Sequence, residues 1–216
     1  MTRKQACKLV RFFLHLHYDI KKDGAELLLD EHVHLLLPNH PAYIEPPMLF
    51  AEFPDATMRP MADERFFHQR IPAYGLRLAE AISVPDLPKT SADARERQAA
   101  LARNLTTLAV QTLRAGKDLV FYPSGHVKLT PKESIGNRRL AYEVCSELFA
   151  DEACRVHVIM LRTTGLDHSY TSRLRWKPTL RRHVHLHFED MTEKIKEWVK
   201  LDKRSFNEKL EEWYNA

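Results

Sequence analysis

The sequence has little of what staples a chain, spans a bilayer or holds a metal. Its three cysteines, Cys7, Cys145 and Cys154, show no paired spacing. An odd, scattered set with no apolar leader and cleavage site ahead of it points to reduced thiols and a cytoplasmic location. No apolar run approaches the roughly 20 residues that a membrane-spanning helix needs. The longest, Val33–Leu37 and Leu119–Tyr122, have the length of strands. Any contact with a membrane is therefore expected from the surface. There is no internal repeat, no low-complexity stretch and no linker dividing the chain. HExxH and CxxC are both missing, so no zinc geometry is specified.

What is present is an ordinary globular composition, 44% apolar and 29% charged over 216 residues, enough to bury one sizeable core. Strand-like and helix-like segments alternate. Asp23-Gly24 marks a turn after Tyr18–Lys22, and strands are expected at Val33–Leu37, Thr57–Ala62, Ala81–Val84, Leu119–Tyr122, Arg155–Leu161 and His183–Phe188. Helices are expected at 3–18, Pro46–Phe53, Glu64–Leu78, from Thr90 or Ser91 to Gly116, Asn137–Phe149, Thr192–Lys200 and Ser205–Tyr214, the last with a Ser205/Glu208 capping box. The alternation predicts a single-domain α/β fold, a mixed sheet flanked by helices.

The chemistry concentrates in Pro38-Asn39-His40-Pro41-Ala42-Tyr43-Ile44-Glu45-Pro46-Pro47. A buried strand precedes it and a proline-initiated helix follows, so His40 and Glu45 fall on a strand-to-helix connection at a sheet end, where open α/β sheets place their sites. A turn that folds Glu45 back would let its carboxylate hold the imidazole N–H and leave the other nitrogen as a base. A second segment, Asp118-Leu119-Val120-Phe121-Tyr122-Pro123-Ser124-Gly125-His126, reads as a strand entering a tight turn. Gly125 is expected to supply a positive φ or a close backbone approach. Ser124 is expected to donate to a phosphate or carbonyl oxygen.

These two blocks resemble the PlsC-like glycerolipid (lysophospholipid) acyltransferases. Asn39 and His40 match the family's NHx4D motif, with Glu45 in place of the aspartate. Tyr122, Pro123 and Gly125 fit its Phe-Pro-Glu-Gly-Thr block, with Ser124 and His126 replacing the glutamate and threonine. Tyr-Pro-Ser-Gly, together with Ile135–Ala141 (which includes Arg138) and Leu161–Leu166, is similar to a subgroup often fused to acyl-adenylating domains. The family's arginine block should fall near Ala81–Asp86, where this chain has no arginine. The resemblance implies a glycerol-3-phosphate acyltransferase-like fold over roughly residues 10–200. It also implies a 1-acyl-sn-glycerol-3-phosphate acyltransferase-like reaction. The donor would be acyl-CoA or acyl-carrier protein, the acceptor a lysophospholipid hydroxyl, and the thioester source an acyl-adenylating partner. His40 would be the base and Glu45 its orienting carboxylate; Asn39, Tyr122, Pro123, Ser124, Gly125, His126 and Arg138 would bind substrate. No cofactor or metal is required. The alternative is a non-catalytic module of the same fold that binds lipid or carrier protein for a partner enzyme.

Other chemistries have weaker support. His15/His17, His32/His34 and His183/His185/His187 recur at spacing two, which on a strand shares one face. Val184, Leu186 and Phe188 explain the last group as an apolar-in, polar-out strand. Ser124 lacks the GxSxG frame of a serine hydrolase, because Tyr122 stands where glycine should. Net charge is only +4, and no nucleic-acid motif appears. Within residues 1–17, Lys4, Lys8, Arg11 and His15 share one helical face, and Ala6, Leu9, Val10, Phe13, Leu14 and Leu16 the other. That is the pattern of an interfacial helix on anionic lipid, or of an ordinary surface helix capping the core with solvated lysines. The resemblance favours the former, a peripheral contact on the inner face of the membrane ahead of an acyltransferase domain at 18–216. Arg173, Arg175, Lys177, Arg181 and Arg182 form a second basic cluster around Trp176, read as a solvated loop.

Overall fold

The computed structural model describes residues 2–86 and 94–216. Seven strands form one mixed sheet in the order β1-β7-β6-β2-β5-β3-β4. They are β1 (Tyr18–Asp23), β2 (Val33–Pro38), β3 (Arg59–Asp63), β4 (Ile82–Val84), β5 (Leu119–Val120), β6 (Val156–Thr164) and β7 (Arg182–Asp190). The run β6-β2-β5-β3-β4 is parallel. β7 joins β6 antiparallel and β1 joins β7 parallel. The described helices are α1 (Arg3–His17), α2 (Glu45–Glu52), α3 (Glu64–Phe67), α4 (Arg70–Leu78), α5 (Ala94–Arg114), α6 (Leu140–Phe149), α7 (Thr192–Trp198) and α8 (Lys203–Tyr214). A short 3-10 helix at Ala25–Leu28 follows the turn at Gly24.

Helices cover both faces. One core joins Leu35, Leu37, Leu119 and Val158 to residues of α5, α6 and α8, among them Leu113, Leu148 and Phe206. The other joins Leu36, Val120, Ile159 and Leu186 to Met48 and Leu49 of α2 and Leu14 of α1. Alternate residues of β2 thus serve opposite cores, which explains its unbroken apolar run.

Three expectations need correction. The helix expected over Glu64–Leu78 is two helices, because Pro72 has no N–H for the His68 carbonyl and its ring crowds that turn. The chain leaves helical geometry at Gln69, which is extended (φ −97°, ψ 128°). The Ser205/Glu208 capping box is not the start of α8. Asp202 caps it, accepting from the Arg204 and Ser205 backbone N–H groups, and Glu208 pairs with Arg204. The strand ladder at Leu119 stops at Val120, although the Phe121 N–H still donates to the Leu36 carbonyl. The expected start of α5 at Thr90 or Ser91 lies outside the described residues; its end matches, with Gly116 at φ +76° two residues past Arg114.

Candidate active site

Asn39 and His40 follow directly from β2, the strand flanked by β5 and β6. The turn after β5 and the end of β6 therefore close on them from both sides. Asn39 is spent on this closure. Its amide donates to the Thr163 carbonyl (3.0 Å) and accepts the Thr163 N–H (2.7 Å). The Lys128 N–H donates to the His40 carbonyl at 2.9 Å, pinning the Tyr122–Lys128 turn to the same loop.

The expected hydrogen bond between His40 and Glu45 is not formed. Tyr122 stands in its place. Its ring stacks on the His40 imidazole, centroids 4.1 Å apart and planes inclined by 27°. Its hydroxyl donates to Glu45 Oε2 at 2.6 Å, and the Thr163 hydroxyl donates to Oε1 at 3.4 Å. Glu45 opens α2 and is wholly buried; at that depth the carboxyl finds hydroxyl donors before it reaches the ring. Nδ1 of His40 is a buried nitrogen with no hydrogen-bond partner.

Electrostatics follow from this burial. Desolvation raises Glu45 to about 8, against the lowering effect of the Tyr122 and Thr163 hydroxyls. Desolvation, then the positive fields of His126 and Arg173, lowers His40 to about 3. At neutral pH the imidazole is thus neutral and the carboxyl mostly protonated. Burial and the neighbouring Glu45 carboxyl hold the Tyr122 phenol well above its usual range.

The second block forms the tight turn expected of it. The Gly125 N–H donates to the Tyr122 carbonyl at 2.9 Å, and Gly125 has φ +65°. Pro123 is buried. The Ser124 hydroxyl donates inside the turn, to the His126 carbonyl at 3.1 Å. The Arg138 guanidinium lies over Gly125, where an added methyl would come within 4.0 Å of it. His126 and Arg138 are therefore gathered with His40 at one sheet end.

The structure adds residues to which the sequence gave no role. Glu133 is buried and accepts the His40 backbone N–H at 3.2 Å; burial pushes its carboxyl up. No spacing rule connects it to His40. Tyr43 lies edge-on to His40, centroids 6.3 Å apart. Arg173 donates to the Tyr43 hydroxyl through Nε (3.1 Å) and Nη2 (2.8 Å). Arg173 was visible only as part of the basic cluster. A polar cavity of about 400 Å³ adjoins the site through Asn39, Lys128 and Thr163, and Lys132, Arg162 and His187 also line it. Asp167 lines it too and pairs with Lys128 at 2.5 Å, so the cavity wall carries charge of both signs. Among the described residues no cluster could hold a metal ion.

No family model matches the sequence, and no curated protein does. Among solved structures, the chain is similar to the 1-acyl-sn-glycerophosphate (LPA) acyltransferase PlsC from Thermotoga maritima. The TM-score is 0.60 and the identity 15%, over 99% of this chain and 79% of that one. The chain accordingly has the α/β fold seen in that acyltransferase.

Proposed function

We propose that this protein is an O-acyltransferase that moves a fatty acyl group from acyl-CoA or acyl-carrier protein to a lysophospholipid-type hydroxyl. The observation that carries the reading is the convergence of His40, Tyr122 and Glu45 at the end of β2 within this fold. In the proposed reaction the neutral His40 imidazole takes the proton of the acceptor hydroxyl as its oxygen attacks the thioester carbonyl. The thiolate departs and needs little acid assistance, since a thiol's pKa is about 8.5. Tyr122 fixes the plane of the imidazole by stacking and is itself held by Glu45. Arg138 and Arg173 offer positive charge, and His126 a polar ring, for a phosphate or for the developing oxyanion. Arg173 would serve where the arginine block at Ala81–Asp86 is missing. An acyl-adenylating partner as thioester source is part of this reading and rests on Tyr122-Pro123-Ser124-Gly125. So is peripheral membrane contact through α1, whose Leu9, Phe12, Phe13 and Leu16 are exposed.

The unmade His40–Glu45 bond favours a second reading, the non-catalytic lipid- or carrier-binding module. A thioester-release assay separates them. Acyl-CoA and acyl-carrier protein are offered with a panel of lysolipids. Acceptor-dependent thiol release, lost in His40→Ala, supports the enzyme. Silence across the panel with retained lipid binding supports the module.

A further inference from the structure

The segment between β6 and β7 is the most positive part of the chain. Residues 168–182 contain Arg173, Arg175, Lys177, Arg181 and Arg182 and no Asp or Glu, while the whole protein carries only +4. Without this segment the chain would be slightly negative. Among the described residues, none of the five cations pairs with a carboxylate. Arg182 donates to the Gly165, His168 and Lys177 carbonyls, and Arg173 to Tyr43. Three large side chains of the same segment face solvent: Tyr170 is 83% exposed, Trp176 55% and Leu180 97%, while Leu174 is half-buried. Tyr170 and Trp176 meet edge-on, centroids 6.2 Å apart.

The segment is also built rather than loose. The His168 carbonyl accepts the Lys177 N–H (3.1 Å), His168 Nδ1 contacts the Arg175 carbonyl (2.8 Å), and the Tyr43 N–H donates to the Thr171 carbonyl (3.1 Å). The last contact fastens it beside His40. At its far end Arg182 is paired with Tyr18, where β1 continues from α1. The last turn of α1, with the exposed Leu16, and the end of this segment therefore adjoin.

We infer that residues 168–182 are an electrostatic and aromatic anchor for an anionic lipid surface, which brings the mouth of the His40 site to the bilayer interface. Unpaired Arg and Lys supply attraction to anionic headgroups. Trp and Tyr are the side chains that settle at the headgroup level, and Leu180 adds an apolar tip. Continuity with the exposed apolar face of α1 fits an extended plane better than a single carrier protein. The inference adds a partner surface to the proposed lipid acceptor, but lipid binding is read without any turnover.

The test is co-sedimentation of the whole protein with vesicles of phosphatidylcholine alone and of phosphatidylcholine mixed with phosphatidylglycerol. Binding should require the anionic lipid and weaken with salt. Arg175→Gln/Lys177→Gln/Arg181→Gln should weaken it about a hundredfold, at roughly fivefold per cation near an anionic surface. Trp176→Phe should remove a blue shift of fluorescence on vesicle addition. All these side chains are exposed, so circular dichroism and Tm should match the parent. A triple variant that binds vesicles like the parent would overturn the inference. So would binding lost entirely on Phe12→Ser/Leu16→Ser in α1 alone, or a triple variant that loses acidic carrier protein but not vesicles. A protein that binds vesicles through this segment yet transfers no acyl group would sink the enzyme reading and leave the anchor standing.

Discussion

His40, Tyr122 and Glu45 form a stack and a hydrogen bond, and each contact makes a separable prediction. His40→Ala should lower acyl transfer by about 10²–10⁴-fold, the usual contribution of a positioned base. Tyr122→Phe keeps the stack and removes the donor to Glu45; it should cost about 1 kcal/mol of stability and lower kcat with little change in KM. Glu45→Gln should retain most activity at pH 7, because the native carboxyl is already largely protonated there. A hundredfold loss would show that an ionised Glu45 is needed. The same substitution has a signed effect on stability. Glu45 keeps its proton in the folded state up to about 8, whereas the unfolded chain releases it near 4.5. The folded state therefore binds more protons across that window, and stability falls as pH rises through it. The Tm advantage of Glu45→Gln over the parent should be small at pH 4.5 and largest above pH 8. Unfolding scans across that range check it.

At the scale of elements, the start of β2 carries a second titration, of a base whose charged form is favoured, with the same sign of pH dependence. His34 is buried between Asp30 (Nε2 to Oδ1, 2.9 Å) and Asp118 (Nδ1 to Oδ1, 3.4 Å), with His32 and His157 close by. Burial opposes its charge, but Asp118 and Asp30 prevail and raise its pKa above 6.5. Its contribution is complete below pH 6.5 and lost as pH rises through the higher folded value. His34→Gln should therefore lower Tm at pH 5.5 and approach the parent at alkaline pH. The β6–β7 connection turns on Gly165, at φ +87°, where an added Cβ would overlap the His183 carbonyl oxygen. Gly165→Ala should cost at least about 1–3 kcal/mol from backbone strain, with the methyl clash added, and guanidinium melts should show it. The elements themselves were largely legible in hydrophobic period and caps. The exceptions have local causes: Pro72 splits one helix, and Asp202 outcompetes Ser205 because its carboxylate accepts from two backbone N–H groups at once.

At the scale of the molecule, the surface of α1 departs from the helical projection. Its basic face is held at the protein surface by ion pairs, Lys4 with Asp55 (2.5 Å) and both Arg11 and His15 with the buried Glu52. Cys7 and Leu14 are buried, while Leu9, Val10, Phe12, Phe13 and Leu16 stay in solvent. A projection separates faces but does not say which one meets protein. An exposed apolar stripe of this kind marks an interaction surface. Phe12→Ser/Leu16→Ser should therefore reduce sedimentation with phosphatidylglycerol-containing vesicles while leaving the Tm unchanged.

The sequence by itself determined the α/β class, most of the alternation of strands and helices from Val33 onward, the strand-to-helix position of His40 and the tight turn at Gly125. All of these follow from periodicity, proline and glycine within a few residues. Only the tertiary structure decided that Tyr122, rather than Glu45, meets the imidazole, that Glu133 and Arg173 join the site, and that Asn39 is consumed by Thr163. Those contacts join segments far apart in the chain, through a strand order that places β2 between β5 and β6. Local pattern carries no record of which distant side chain reaches a buried carboxyl first.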